Sequence, residues 1–94
     1  MERDFILTQK EHIGVLYFPK EEVLDSEMDR EARKAALNRA LSLGNLEQIK
    51  VQIYFTDSEK SYLVDTTIWG LTEERVILKQ GITIPINRII SVSL

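Results

Sequence analysis

The hydrophobic rhythm of this chain changes once, between Gly44 and Ile49, and the change fixes the class of fold open to it. From Met28 to Leu43 the apolar residues recur at helical spacing; from Ile49 to Phe55 they alternate with polar ones. A period of about 3.6 demands a helix with one buried stripe, and a period of about 2 demands a half-buried strand. A helix followed by strands in one short chain is an α+β architecture. The helix has start and stop signals. Ser26 stands where an N-cap belongs, with Asp29 three residues on, a capping-box variant. Asp25, Glu27, Asp29 and Glu31 lie near the positive end of the dipole. Met28, Ala32, Ala35, Ala36, Ala40 and Leu43 form one stripe, which Leu37 and Leu41 widen. Gly44 follows and supplies the left-handed conformation that closes a helix, so the helix is expected over 26–43.

After Phe55 the chain reads as strands separated by tight turns. Asp57-Ser58-Glu59-Lys60 is a turn, and Ser61 to Leu71 is a long β-prone run rich in Thr, Val, Ile, Tyr and Trp. Gly70 permits a bulge or bend in it. Thr72-Glu73-Glu74-Arg75 leads into Val76-Ile77-Leu78, Gln80-Gly81 turns again, Ile82-Thr83-Ile84 follows, and Pro85 interrupts. Ile86-Asn87-Arg88 is a short turn before a last strand, Ile89 to Leu94. No α-helix longer than one turn is expected in 49–94. At the other end, Phe5 to Thr8 and Ile13 to Phe18 flank a polar tetrad and suggest a hairpin, stopped by Pro19. About five short strands at this spacing point to a small, highly curved antiparallel barrel. The expected organisation is a single domain over 1–94: hairpin 1–18, helix 26–43, barrel 49–94.

The inventory narrows function by exclusion. No cysteine is present, so no disulfide, thiolate metal site or cysteine nucleophile exists, in keeping with a reducing compartment. Acids at Glu2 and Asp4 stand where a secretory signal carries bases, and Ile13 to Phe18 is too short for a signal core or a membrane span. A cytoplasmic protein without membrane partners is expected. Net charge is −3, with acids outnumbering bases in the first half and balancing them in the second. Neither half has the basic balance of a nucleic-acid surface.

Candidate chemistry is sparse. His12 is the only histidine, and alone it nucleates neither a metal site nor a triad; a solvated turn residue is the simpler reading. Asp57 with Glu59, and Glu73 with Glu74, lie in polar turns where nothing predicts the burial a catalytic acid needs. Four separated glycines make no phosphate-cradling loop. Neither a cofactor nor a metal is expected, and the chain reads as no enzyme. Arg30, Arg33, Lys34 and Arg39 cluster on the helix and could meet phosphate or an acidic partner, although Glu27, Asp29 and Glu31 stand at pairing distance along it. Tyr54 and Trp69 are out of phase with the apolar residues around them and should point away from the core. Cover by the helix or the N-terminal hairpin is favoured over exposure, because Trp is highly buried on average. Tyr54, Trp69, Arg30 and Arg33 are therefore the candidate binding residues.

The order of helix, then five short strands with a long bent second one, resembles the Sm-like and Src-homology-3-like small barrels over about residues 27–94. Gly81-Ile82-Thr83-Ile84-Pro85-Ile86-Asn87-Arg88-Ile89 is similar to the strand, proline, one-turn helix and final strand that close a Src-homology-3 barrel. Phe55-Thr56-Asp57 followed by a long strand looks like the first Sm motif, and the Rho-binding antiterminator of bacteria has a similar layout. The residues that let Sm proteins read uridine-rich RNA differ here: Ser58 follows Asp57, Val64 stands near the expected glycine, Glu74 or Arg75 near the expected asparagine, and Gln80 precedes Gly81. The resemblance implies architecture, which does not fix function. The expected function is a non-catalytic protein-binding or adaptor module, self-association included, because a final strand ending at Leu94 would leave an edge for strand addition. The alternative is an Sm-like RNA-binding regulator.

Overall fold

The computed structural model describes residues 4–94. Its elements run β1 (Phe5–Thr8), α1 (Lys10–Ile13), α2 (Glu27–Glu47), β2 (Val51–Thr56), β3 (Ser61–Thr66), β4 (Ile68–Leu71), β5 (Arg75–Leu78), β6 (Thr83–Pro85) and β7 (Ile89–Ser93). The fold is α+β, with one long helix and two sheets. One sheet has four strands in the order β1-β3-β2-β7, and the other has three in the order β4-β5-β6. Their pairing does not close into a barrel among the described residues.

The long β-prone run divides at Thr67. Its first half, β3, pairs with β2, and its second half, β4, pairs with β5 in the other sheet. The register of β4 on β5 shifts between Ile68 and Gly70, a bulge where glycine permits one. Gln80 and Gly81 both have positive φ in the turn between β5 and β6, as that turn requires. Ile86–Arg88 is a 3₁₀ turn between β6 and β7, so 49–94 holds no α-helix. Val51, Ile53 and Phe55 of β2 point inward with Tyr62, Val64, Ile68, Val76, Leu78, Ile84 and Ile89, forming one core.

Two expectations fail. The N-terminal segment is not a hairpin. β1 pairs in parallel with β3, Phe5 opposite Ser61, and the chain then takes one helical turn that drops Ile13 into the core. Residues 14–25 follow as an irregular strap with Leu16 and Phe18 against the core. A period of 2 identifies a strand and says nothing of its partner. The helix also runs past Gly44 to Glu47, and Gln48 (φ 54°) supplies the left-handed cap. Gly44 is needed mid-helix because α2 crosses β4 there: a Cβ on Gly44 would collide with the carbonyl oxygen of Ile68. The buried stripe is Arg33, Leu37, Ala40 and Gly44, while Met28 is exposed. The N-cap stands as expected, with the Asp29 amide donating to Ser26 Oγ. Through this stripe α2 packs against one edge strand from each sheet, β4 and β7.

Candidate functional site

The strap is held from three sides. The Asn87 side-chain amide donates to the Lys20 carbonyl, and the Val23 amide donates to the Asn87 carbonyl at 3.0 Å. Arg88, buried, donates Nη1 to Glu21 O (2.9 Å), Nη2 to Asp57 O (2.8 Å) and Nε to Thr56 O (3.2 Å). Arg33, also buried, grips Glu22 with both terminal nitrogens (2.6 and 2.7 Å) and donates Nη1 to Ile89 O (3.0 Å). The guanidinium of Arg33, against the opposing effect of burial and helped by the Leu24 and Val23 amides, holds the Glu22 carboxyl below the usual carboxylate range. Arg30 is half-buried and donates to the carbonyls of Leu24 and Asp25. Both helix arginines proposed as ligand contacts therefore tie α2 to the strap. Pairing with Glu22, outside the helix, replaces the helical spacings that suggested Glu27, Asp29 and Glu31.

Asp57 is a buried structural node rather than a solvated turn acid. Oδ1 accepts from the amides of Glu59 (2.8 Å) and Lys60 (2.7 Å), and Oδ2 from the Tyr62 hydroxyl (3.2 Å). Burial pushes this carboxyl up, but the two amides and the hydroxyl outweigh it and hold the group low. The Tyr62 hydroxyl is pushed up by burial and by the Asp57 charge beside it. A signal for this was present: Asp followed by two polar residues is the pattern of a side chain that closes its own turn.

Two adjoining clefts, of about 630 and 710 Å³, lie between the strap, the 72–75 turn and α2, and share Arg33, Glu73 and Ile86. Their walls mix Lys20, Lys34 and Arg75 with Glu31, Glu73 and Glu74, so no single charge sign selects a ligand there. Among the described residues no three of His, Asp and Glu gather as metal ligands, and no helix is long and apolar enough to cross a membrane.

The other two candidates lie elsewhere and apart. Trp69, on the bulge of β4, is 50% exposed, so the expected cover is absent there: Ile68 takes the inward place and the bulge turns Trp69 out. Tyr54 is half-buried on the outer face of the four-stranded sheet, with the Phe5 ring edge-on at 4.9 Å. That cover comes from the N-terminal segment, as expected, although from a parallel strand. Register extends this outer face sideways. Tyr54 stands opposite Leu63 on β3, and Leu63 stands opposite Leu7 on β1. Val64 and Ile53 face the core, so Tyr54, Leu63 and Leu7 share the solvent side, with Phe5 next to them. Leu7 is 72% exposed. An apolar row thus crosses three strands and ends at β1, which pairs with β3 alone among the described residues. Phe5, Leu7 and Leu63 were not singled out from the sequence, because a row across strands appears only when register is known. No protein-family model, no curated protein and no solved structure matches the chain.

Proposed function

We propose that the chain is a non-catalytic protein-binding module, a small curved barrel of the Sm-like and Src-homology-3-like kind working in the cytoplasm. The apolar row Tyr54, Leu63, Leu7 on the solvent face, running out to the edge strand β1, carries this reading. Contiguous apolar surface rimmed by polar residues, here Gln52 and Asp65 on one side, Thr56 and Ser61 on the other and Ser91 at the β7 end, is what protein partners cover. An enzyme would need a polarised cleft, and the Asp57 and Glu22 carboxyls, held below their usual range, serve as hydrogen-bond acceptors for backbone amides, the Tyr62 hydroxyl and Arg33. The barrel reading is supported by the bend of the long β run at Thr67, by the 3₁₀ turn after Pro85, and by the return of β7 to β2. The lack of cysteine supports the compartment.

The test is affinity purification from the native cell with the wild-type chain and with Tyr54→Ser/Leu63→Ser, each with and without nuclease. Proteins retained by the wild type, lost with the double variant and indifferent to nuclease are the expected result. Retention that depends on RNA, or that survives the double variant, would overturn it.

A further inference from the structure

We infer that β1 is a strand-addition edge and that its partner is a second copy of this chain, paired antiparallel about a two-fold axis with Leu7 opposite Leu7 of the partner. The inference rests on the protein-binding reading and names the partner.

The four edge strands of the two sheets differ in how they are protected. β4 and β7 are packed against α2. β6 is three residues long and ends in Pro85, which has no amide to donate. β1 has neither device. Its four residues, Phe5-Ile6-Leu7-Thr8, contain no charge, proline or glycine, and nothing among the described residues pairs with its outer side. Alternate N–H and C=O groups of a strand point to each side, so one set faces outward here. Ile6 and Leu7 project to opposite faces and are 45% and 72% exposed, so an added strand would cover apolar surface on both.

Charge selects the occupant. Asp4 stands just before β1, and Lys10 just after it, at the first position of α1. An antiparallel copy with Leu7 opposite Leu7 brings Asp4 of each chain alongside Lys10 of the other, so that the Lys10 ammonium, which already lies 3.2 Å from Glu11 Oε2 of its own chain, gains a second carboxylate. The uncharged centre opposes no like charges. Under the same operation the two outer faces join side by side, and the row Tyr54, Leu63, Leu7 continues into its own image. A two-fold pair of this kind is self-complementary and closed, so it stops at a dimer. In this register three β1 residues a side, Ile6 to Thr8, face one another, which makes a small interface, and a dissociation constant on the order of 100 μM is expected.

The chain has no cysteine, which allows a direct test with single replacements. Directly opposed residues of an antiparallel pair have Cα atoms about 4.5–5.5 Å apart, inside the window that a disulfide spans. Leu7→Cys under mild oxidation should form a covalent dimer at least about tenfold faster than Trp69→Cys, another exposed position placed elsewhere. Sedimentation of the unmodified wild type from about 10 to about 500 μM should show monomer giving way to dimer, and Leu7→Lys should stay monomeric. Wild type that remains monomeric throughout, or Leu7→Cys that cross-links no faster than Trp69→Cys, overturns the inference. If the affinity purification still depends on Tyr54 and Leu63 in that case, the module binds a different protein and only the second copy is lost; if both fail, the protein-binding reading falls too.

Discussion

Arg33 and Gly44 stand near opposite ends of one buried stripe, and each ties α2 to a different sheet. Gly44→Ala is expected to destabilise by about 2 kcal/mol despite the better helix propensity of alanine, because the obstructing atom is a backbone oxygen that cannot turn aside. A neutral result in denaturant titration would mean that α2 sits farther from β4. For the ion pair, removal of the acid should cost more than removal of the base. Glu22→Gln leaves the buried Arg33 charge uncompensated, whereas Arg33→Met leaves a carboxylate that reaches water. Equal losses of stability would argue against that asymmetry. Asp57 and Glu22 both have lowered folded-state values. Their stabilisation is therefore complete above the unfolded value, near pH 4, and is lost as pH falls through the folded value. The urea midpoint should drop as pH falls below about 4, and Asp57→Asn should flatten part of that drop. A midpoint independent of pH in this window would refute the assignment of both carboxyls. Little of this was legible beforehand. Arg33 reads as one of several helix cations, and only its partner on the strap shows why it is buried.

Among the elements, local signals carried far and non-local ones did not. Ser26 and Asp29 marked the helix start, and Ile49 to Phe55 marked β2, because capping and alternation are properties of adjacent residues. Gln80-Gly81 marked the turn before β6 for the same reason. The helix end was misplaced because a glycine that permits close packing looks the same as one that caps. β1 was assigned to a hairpin because its partner, β3, lies far along the chain. The strap had no signature, since the hydrogen bonds that fix its path come from residues outside it, Ser58, Asn87, Arg88 and the helix arginines Arg30 and Arg33. Its attachment can be tested as a unit. Arg88→Lys loses the planar fork that reaches Glu21, Thr56 and Asp57 together. Amide exchange in the 14–25 segment should then accelerate by roughly tenfold, with β2, β3 and β7 slowed or unchanged relative to it. Uniform acceleration through the sheets would show that Arg88 holds the core and not the strap.

At the scale of the molecule, the balance of charge separates the two functional readings. Nucleic-acid affinity comes largely from counterions released when bases neutralise phosphates. Here the net charge is −3, and the helix arginines Arg30 and Arg33 spend donors on the strap. Single-stranded RNA is therefore expected to bind no tighter than about 10 μM at about 150 mM salt. Stacking on Trp69, the more exposed aromatic, would add about 1–3 kcal/mol per base. Fluorescence anisotropy with uridine-rich and adenine-rich oligomers settles the point: sub-micromolar binding that weakens with salt and disappears in Trp69→Ala would make the protein an RNA-binding regulator. The parallel pairing of β1 with β3 has a consequence in time as well as space. During synthesis Phe5 to Thr8 leaves the ribosome before α2 and β2, yet Ser61 to Val64, its complement, emerges only after them. The helix is a local structure that forms without waiting, whereas β1 must close a loop containing most of the chain before it gains a single ladder bond. Its docking should therefore belong to the last stage of folding: Leu7→Ala is expected to speed unfolding and leave the refolding rate nearly untouched.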